Sequence, residues 1–173
     1  KGKLISLFLY SAKTTWWMSH NQKNKYYEAF PFLEKSNNQV LSSVFSSEKL
    51  GLIQSLDTSQ KDDTYLILNS QSWIKGVEDA VEYAKTNKLN YELVWGLEHK
   101  ELLKKLARSK GIIFFPKAGD TCPRMTIEAK LLDCELILND NVQHKDEGWF
   151  SNKEKTMSYL RERTNVFWDK IED

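Results

Sequence analysis

The chain has 173 residues, with 25 Lys and Arg set against 24 Asp and Glu for a formal net charge of +1. That near-balance argues against a bulk electrostatic grip on nucleic acid or a membrane surface and leaves open only a local basic patch. Hydrophobic residues at 40% and aromatics at 12% suffice for a sizeable core in one domain, or one domain plus part of another. The two cysteines, Cys122 and Cys134, have no spacing suited to zinc and are too few for a disulfide framework. Both are expected as free thiols in a cytoplasmic protein, Cys134 as a small core residue at a strand start. No stretch is long and apolar enough to span a bilayer as a helix, so no transmembrane segment is expected. The opening Lys1–Tyr10 pairs two lysines with a short apolar run but lacks a small-residue cleavage site, so a signal peptide is not expected either. Without an initiating Met, the chain is expected to be part of something longer.

In chain order, the first segment has no regular strand–helix rhythm. An apolar helix-like piece comes first, then the short run Thr14-Thr-Trp-Trp-Met18 and the segment Asn21–Phe30. From Gln39 the chain alternates. Gln39–Phe45 predicts a strand followed by a helix over Glu48–Leu56, with Ser46 and Ser47 available as caps. Asp57–Asp63 is polar and predicts a surface loop. Thr64–Leu68 predicts a strand leading to a helix over Lys75–Lys88, and Tyr91–Trp95 one leading to a helix over His99–Arg108 that Gly111 is expected to terminate. Ile112–Phe115 predicts a buried strand before a helix over Arg124–Asp133, with Pro123 placed as a first-turn proline. Glu135–Leu138 predicts a last strand, and Asn152–Asp173 a long amphipathic helix with Met157, Leu160, Phe167, Trp168 and Ile171 on its apolar side. Alternating signals of this kind specify an α/β fold: a Rossmann-like open parallel sheet with helices on both faces and right-handed crossovers. The boundaries read as residues 1–38, 39–150 and 151–173.

The most informative stretch is Lys117-Ala-Gly-Asp-Thr-Cys-Pro-Arg-Met-Thr-Ile-Glu128. A polar, glycine-containing loop that leaves a parallel strand and opens a helix is where open α/β sheets bind ligands. It offers Asp120 in the loop and Glu128 about two turns into the helix as acceptors for sugar hydroxyls. Arg124 and the free N–H groups of the first turn suit a phosphate. Arg124 also competes as an ion-pair partner for either acid. Glu128 sits within an otherwise apolar stretch, where a buried carboxylate needs partners. Lys75, in the loop Asn69-Ser-Gln-Ser-Trp-Ile-Lys-Gly76, can reach a diphosphate as a point charge, and Gly76 behind it permits a close approach. Cys122 has no base nearby in sequence to make it a nucleophile. The three histidines are scattered; His144 could border the site, with a structural role favoured. Trp16, Trp17, Trp149 and Trp168 read as packing residues.

Taken in order, strand, Lys75-Gly76 helix, strand ending at Pro116, and an acid-x7-acid helix resemble the nucleotide-sugar-binding half of GT-B glycosyltransferases, especially the retaining group with a Glu-x7-Glu signature. The signature stands here as Asp120-Thr-Cys-Pro-Arg-Met-Thr-Ile-Glu128, with Ile74-Lys75-Gly76 in place of the Lys-Gly step. The resemblance covers about Val40 to Asn141 plus the tail helix. It implies that Glu128 holds the donor ribose and Asp120 the transferred sugar. Lys75, Arg124 and backbone N–H groups from Thr121 onward would stabilise the departing diphosphate. Catalytic positions would then be Lys75, Arg124 and Asp120, and substrate-binding positions Glu128, Gly119, Thr121, Cys122 and Ser72, with neither metal nor other cofactor. The implied partners are a UDP- or GDP-sugar donor and an acceptor-binding domain preceding this chain, of which residues 1–38 would be the last elements, so that this part alone transfers nothing. Three departures from the family stand out: Asp120 is a methylene shorter than Glu, Asn69-Ser70 replaces a Gly-Arg step, and Tyr91–Arg108 is short by roughly one strand and helix. Two other readings remain: a noncatalytic flavodoxin-like binding or regulatory module, or an interaction domain docking through the tryptophan-rich first segment.

Overall fold

The computed structural model of the chain describes residues 2–172; Lys1 and Asp173, the outer limits of the first and last segments, lie outside them. The fold is α/β. Helix α1 (Gly2–Ser11) leads to strand β1 (Thr14–Trp17), helix α2 (His20–Ala29), a 3₁₀ turn over Pro31–Lys35, and strand β2 (Asn37–Val40). After α3 (Ser47–Gln54) the chain alternates through β3 (Asp62–Leu68), α4 (Val77–Thr86), β4 (Tyr91–Val94), α5 (His99–Arg108), β5 (Ser109–Phe114), α6 (Arg124–Leu131) and β6 (Glu135–Leu138). A 3₁₀ turn over Gly148–Phe150 precedes the long helix α7 (Lys153–Glu172).

Four strands form an all-parallel sheet in the order β4-β3-β5-β6, with Tyr65 opposite both Tyr91 and Gly111, and Ile112 opposite Leu136. Strand side chains alternate between faces, so each central strand feeds two cores. Leu66 and Ile112 join Leu50, Ile53, Leu103, Leu106, Ile127, Leu131 and Leu160, from α3, α5, α6 and α7, on one face. Tyr65, Ile67 and Ile113 face Ala80 and Ala84 of α4 on the other, where the two alanines let the helix lie close. This is the Rossmann-like open sheet with helices on both faces that the alternation predicts.

The run Gln39–Phe45 behaves differently from its prediction. Its start lies in β2, which pairs in parallel with β1 (Thr14 opposite Asn37) in a separate two-stranded sheet, and residues 41–46 are irregular. Buried Ser43 explains part of this: its backbone N–H and hydroxyl both donate to the Cys122 thiol, tying the segment to the loop after β5 instead of to a strand. The small sheet packs Leu9, Trp17 and Leu33 into a core of its own, fringed by Tyr26, Phe30 and Phe32. Gly111 also departs from its predicted place. Helix α5 runs directly into β5 at Ser109, and Gly111 lies inside the strand, where a Cβ would collide with the Glu135 carbonyl and the Tyr65 ring. In α7, Met157 and Leu160 are buried and Phe167 packs on Trp16, whereas Trp168 and Ile171 are exposed, so the apolar side is uncovered toward its carboxyl end.

Candidate functional site at the carboxyl edge of the sheet

Strand β3 is flanked by β4 on one side and β5 on the other, so the chain's winding reverses there, and the carboxyl ends of β3 and β5 flank the kind of position where such sheets take ligands. Lys75 sits in the loop after β3, in a 3₁₀ turn over Trp73–Lys75 and not in the first turn of α4 as its sequence suggests. Gly76 separates turn from helix at φ 63°, a left-handed conformation that favours glycine, and any Cβ there would strike the Phe115 carbonyl. The close approach expected at Gly76 is therefore made by the chain itself. The Lys117 amide donating to the Ile74 carbonyl at 2.8 Å completes the join between the two loops. Across it, Lys75 Nζ lies 2.6 Å from Asp120 Oδ2, with both side chains only partly shielded from water.

Asp120 is held by its backbone. Its N–H donates to the Asn141 carbonyl, and its own carbonyl accepts from the Gln143 N–H, a short parallel bridge to the segment after β6. Gln143 in turn accepts from the Ser19 hydroxyl at 2.9 Å, linking this loop to the first segment, and its side-chain amide occupies the space a Cβ at Gly119 would need. Beneath the loop, His144 is fully buried between the Trp149 and Phe150 rings, with Nε2 3.2 Å from Thr126 Oγ1 and no hydrogen-bond partner for Nδ1. Burial pushes its imidazole down to about 4, against a weaker upward pull from the Thr121 backbone and Asp120.

Glu128 lies on α6 and is 2% exposed. Its partners come from two other helices: Lys49 Nζ of α3 at 2.6 Å and His99 Nε2, the first residue of α5, at 2.9 Å. Three helices thus converge on one carboxylate, which meets the requirement that a buried acid be paired. Ser46 caps α3, as predicted, by accepting from the Lys49 amide. Lys49 Nζ also lies 4.2 Å from the centre of the Phe45 ring. A groove of about 450 Å³ opens beside this cluster, lined by Ser46, Glu48, Lys49, Leu52, His99 and Lys100.

The structure therefore brings Lys75 and Asp120 together as a direct pair and gives Glu128 a separate partner set. Arg124 stands exposed at the first position of α6, behind Pro123, and forms no ion pair with either acid among the described residues. Gly119 and Ser72 are exposed, and Thr121 is half-buried. Cys122 is buried, and desolvation holds its thiol above the ordinary value despite the Ser43 hydrogen bonds, the opposite of the shift that activates a thiol. Cys134 precedes β6 as a core residue, donates to the Leu106 carbonyl at 3.1 Å, and is pushed up to about 11 by burial.

Lys49 and His99 are the residues that sequence reasoning missed. Lys49 has no local signal, because its partner is 79 positions away. His99 has one: it opens the helix after β4, the same kind of position that draws attention to Lys75. The chain matches no protein-family model and no curated protein.

Proposed function

We propose that this chain binds a nucleoside-diphosphate sugar at the carboxyl edge of its sheet and serves as the donor half of a GT-B-type glycosyltransferase. The supporting observation is the pairing of Lys75 with Asp120 where the loops after β3 and β5 meet, beside the amino end of α6. A diphosphate arriving there takes Lys75 as its counter-charge and frees Asp120 to accept a hydroxyl of the transferred sugar. The unused amides of Arg124 and Met125, with the exposed Arg124 guanidinium, add stabilisation where negative charge grows on the leaving group. Glu128, oriented by Lys49 and His99, then accepts the ribose hydroxyls. In this reading Lys75 and Arg124 supply the charge stabilisation that a metal supplies elsewhere, and transfer is of the retaining type. A second domain provides the acceptor. The free buried thiols fit a cytoplasmic setting.

A titration of the ¹⁵N-labelled chain with UDP- and GDP-sugars tests the reading. Amide shifts should concentrate at Lys75–Gly76, Asp120–Met125 and His99. Absence of any shift with either nucleotide sugar at millimolar concentration would remove the proposal and favour a noncatalytic flavodoxin-like module, for which the strand order β4-β3-β5-β6 is equally suitable.

A further inference from the structure

Strand β4 is an outer strand: among the described residues it pairs with β3 alone. Toward β3, the Asn90 carbonyl accepts from the Tyr65 amide and the Val94 carbonyl from the Asn69 amide. Alternation along the strand therefore turns the N–H and C=O groups of Tyr91, Leu93 and Trp95 away from the sheet. An edge of this kind is a template for a further strand unless something blunts it. The run Tyr91-Glu92-Leu93-Val94 has no proline, and its register against β3 is unbroken. Its one charge, Glu92, is neutralised by Lys105 of α5 at 2.6 Å. Leu93 is 44% exposed and Trp95, next on the same face, 55%. Helix α5 leaves this edge open, with a groove of about 650 Å³ whose lining includes Glu92, Glu101, Lys105 and Arg108.

We propose that β4 is a self-association edge, at which two copies of this chain join β4 to β4 antiparallel about a two-fold axis and make one continuous sheet. Backbone bonds form only in registers that set outward-facing residues opposite one another. A register centred on Glu92 puts two carboxylates face to face, which is unfavourable. Centred on Leu93, the strands set Leu93 against Leu93 of the second copy and Tyr91 against its Trp95, and each pair exchanges both backbone bonds. Glu92 then meets Val94. Charge on α5 selects the same register. The ion pair puts Lys105 level with Glu92, and Glu101, one turn earlier, lies about 6 Å nearer the carboxyl edge. A two-fold through Leu93 carries the level of Glu92 to that of Val94, a shift of about 6.6 Å. Lys105 of each copy thus stands level with Glu101 of the other, and both side chains are exposed. A two-fold through Val94 would carry that level about 13 Å, past the amino end of α5. A two-fold interface must be complementary to itself, and this one is, in apolar side chains on one face and in charge on the other.

Sedimentation velocity of the whole 173-residue chain over a concentration series tests the pairing. The chain is expected to pass from monomer to dimer at submillimolar concentration. Leu93→Lys sets two lysines face to face on the axis and should stay monomeric throughout, with the circular dichroism of the wild type because the position is exposed. Glu101→Lys and Lys105→Glu should each weaken association roughly ten-fold, and an equimolar mixture of the two should recover it, since every lysine then faces a glutamate. A chain that remains monomeric at submillimolar concentration overturns the inference. So does a dimer that Leu93→Lys leaves intact, or one lost instead in Leu7→Glu, which would put the contact on the exposed apolar face of α1. A mixture no more associated than its two components overturns it as well. None of these outcomes bears on the nucleotide-sugar reading, which rests on ligand binding at the carboxyl edge.

Discussion

Lys61 immediately precedes β3 and Lys75 follows it, so the two lysines mark opposite edges of one sheet. Lys61 Nζ donates to the Leu106 carbonyl at 3.2 Å and the Leu132 carbonyl at 2.6 Å, at the far ends of α5 and α6. Lys75 meets a side-chain acid instead. The contrast follows from the winding. Each crossover helix runs back against its strands, so helix carboxyl ends with unpaired carbonyls collect at the amino edge and helix amino ends with free N–H groups at the carboxyl edge. A cation at the amino edge completes the fold. A cation at the carboxyl edge adds to donors already directed outward, and the Asp120 carboxylate neutralises it. The same residue type is structural at one edge and a candidate for ligand chemistry at the other.

The largest test of this contrast is at Glu128, which belongs to the carboxyl edge but is buried like a structural group. Glu128→Ala leaves Lys49 without its acid partner against the Phe45 ring. It is expected to cost about 3 kcal/mol in urea unfolding, since breaking a shielded pair strands a charge. Glu128→Gln keeps the shape and a hydrogen-bond acceptor and should cost about half as much. If Glu128→Ala unfolds at the wild-type urea midpoint, the three-helix junction contributes no stability and Glu128 is a ligand group alone.

His144 lies under the Asp120 loop and gives a pH test of how firmly that loop is built. Its folded-state value of about 4 is below the ordinary 6.5, so the fold favours the neutral ring. The unfolded chain binds the extra proton between those values. Stability is therefore fully present above pH 6.5 and declines as pH falls toward 4, by roughly 3 kcal/mol in all. In His144→Leu the part of that slope lying above the carboxylate range should vanish. A wild-type unfolding midpoint that stays flat from pH 6.5 to 5 would mean that the loop opens to hydrate the ring.

The effect expected at Lys61 is smaller. Lys61→Met retains the aliphatic stem and removes two charge-assisted hydrogen bonds to backbone, which should lower stability by about 2 kcal/mol. Binding of pyrophosphate should not change, because the amino edge lies at the opposite end of the strands. A binding defect there, with the fold intact by circular dichroism, would break the division between the edges.

How much of this was readable beforehand depended on distance along the chain. The bounds of α5 and β6 match their predicted ranges, and β3, β4 and β5 lie within a few residues of theirs. Strands buried on both faces read as unbroken apolar runs, so Ile112, Ile113 and Phe114 announce themselves. Val40 and Leu41 gave the same signal in Gln39–Phe45, but there the partner is Thr14–Trp17, whose short polar-then-aromatic run carries no pairing information. Gly111 reads as a helix terminator because sequence shows only that a side chain is missing, not which neighbouring backbone needs the space. At the site, the loop from Gly119 to Arg124 was legible from its polarity and position. The partners of its acids were not, since Lys75 lies 45 positions from Asp120 and Lys49 lies 79 from Glu128.

The smallest stability effect and the sharpest functional one are expected together at Lys75. Its pair with Asp120 is partly open to water, with 33% of the lysine side chain and 15% of the aspartate side chain exposed, so Lys75→Met should shift the unfolding free energy by under about 1 kcal/mol. Binding should respond differently. Removing the cation leaves the Asp120 charge unneutralised where an anion must enter, so pyrophosphate affinity should fall by more than the lost attraction alone. The double variant Lys75→Met with Asp120→Asn separates the two effects. If Asp120 only neutralises Lys75, the double variant should recover part of the pyrophosphate affinity by removing the repulsion, whereas binding of a nucleotide sugar should not recover, because the hydroxyl acceptor is gone too. Equal recovery for both probes would show that Asp120 never touches the sugar, and the donor-binding role would then rest on Glu128 alone.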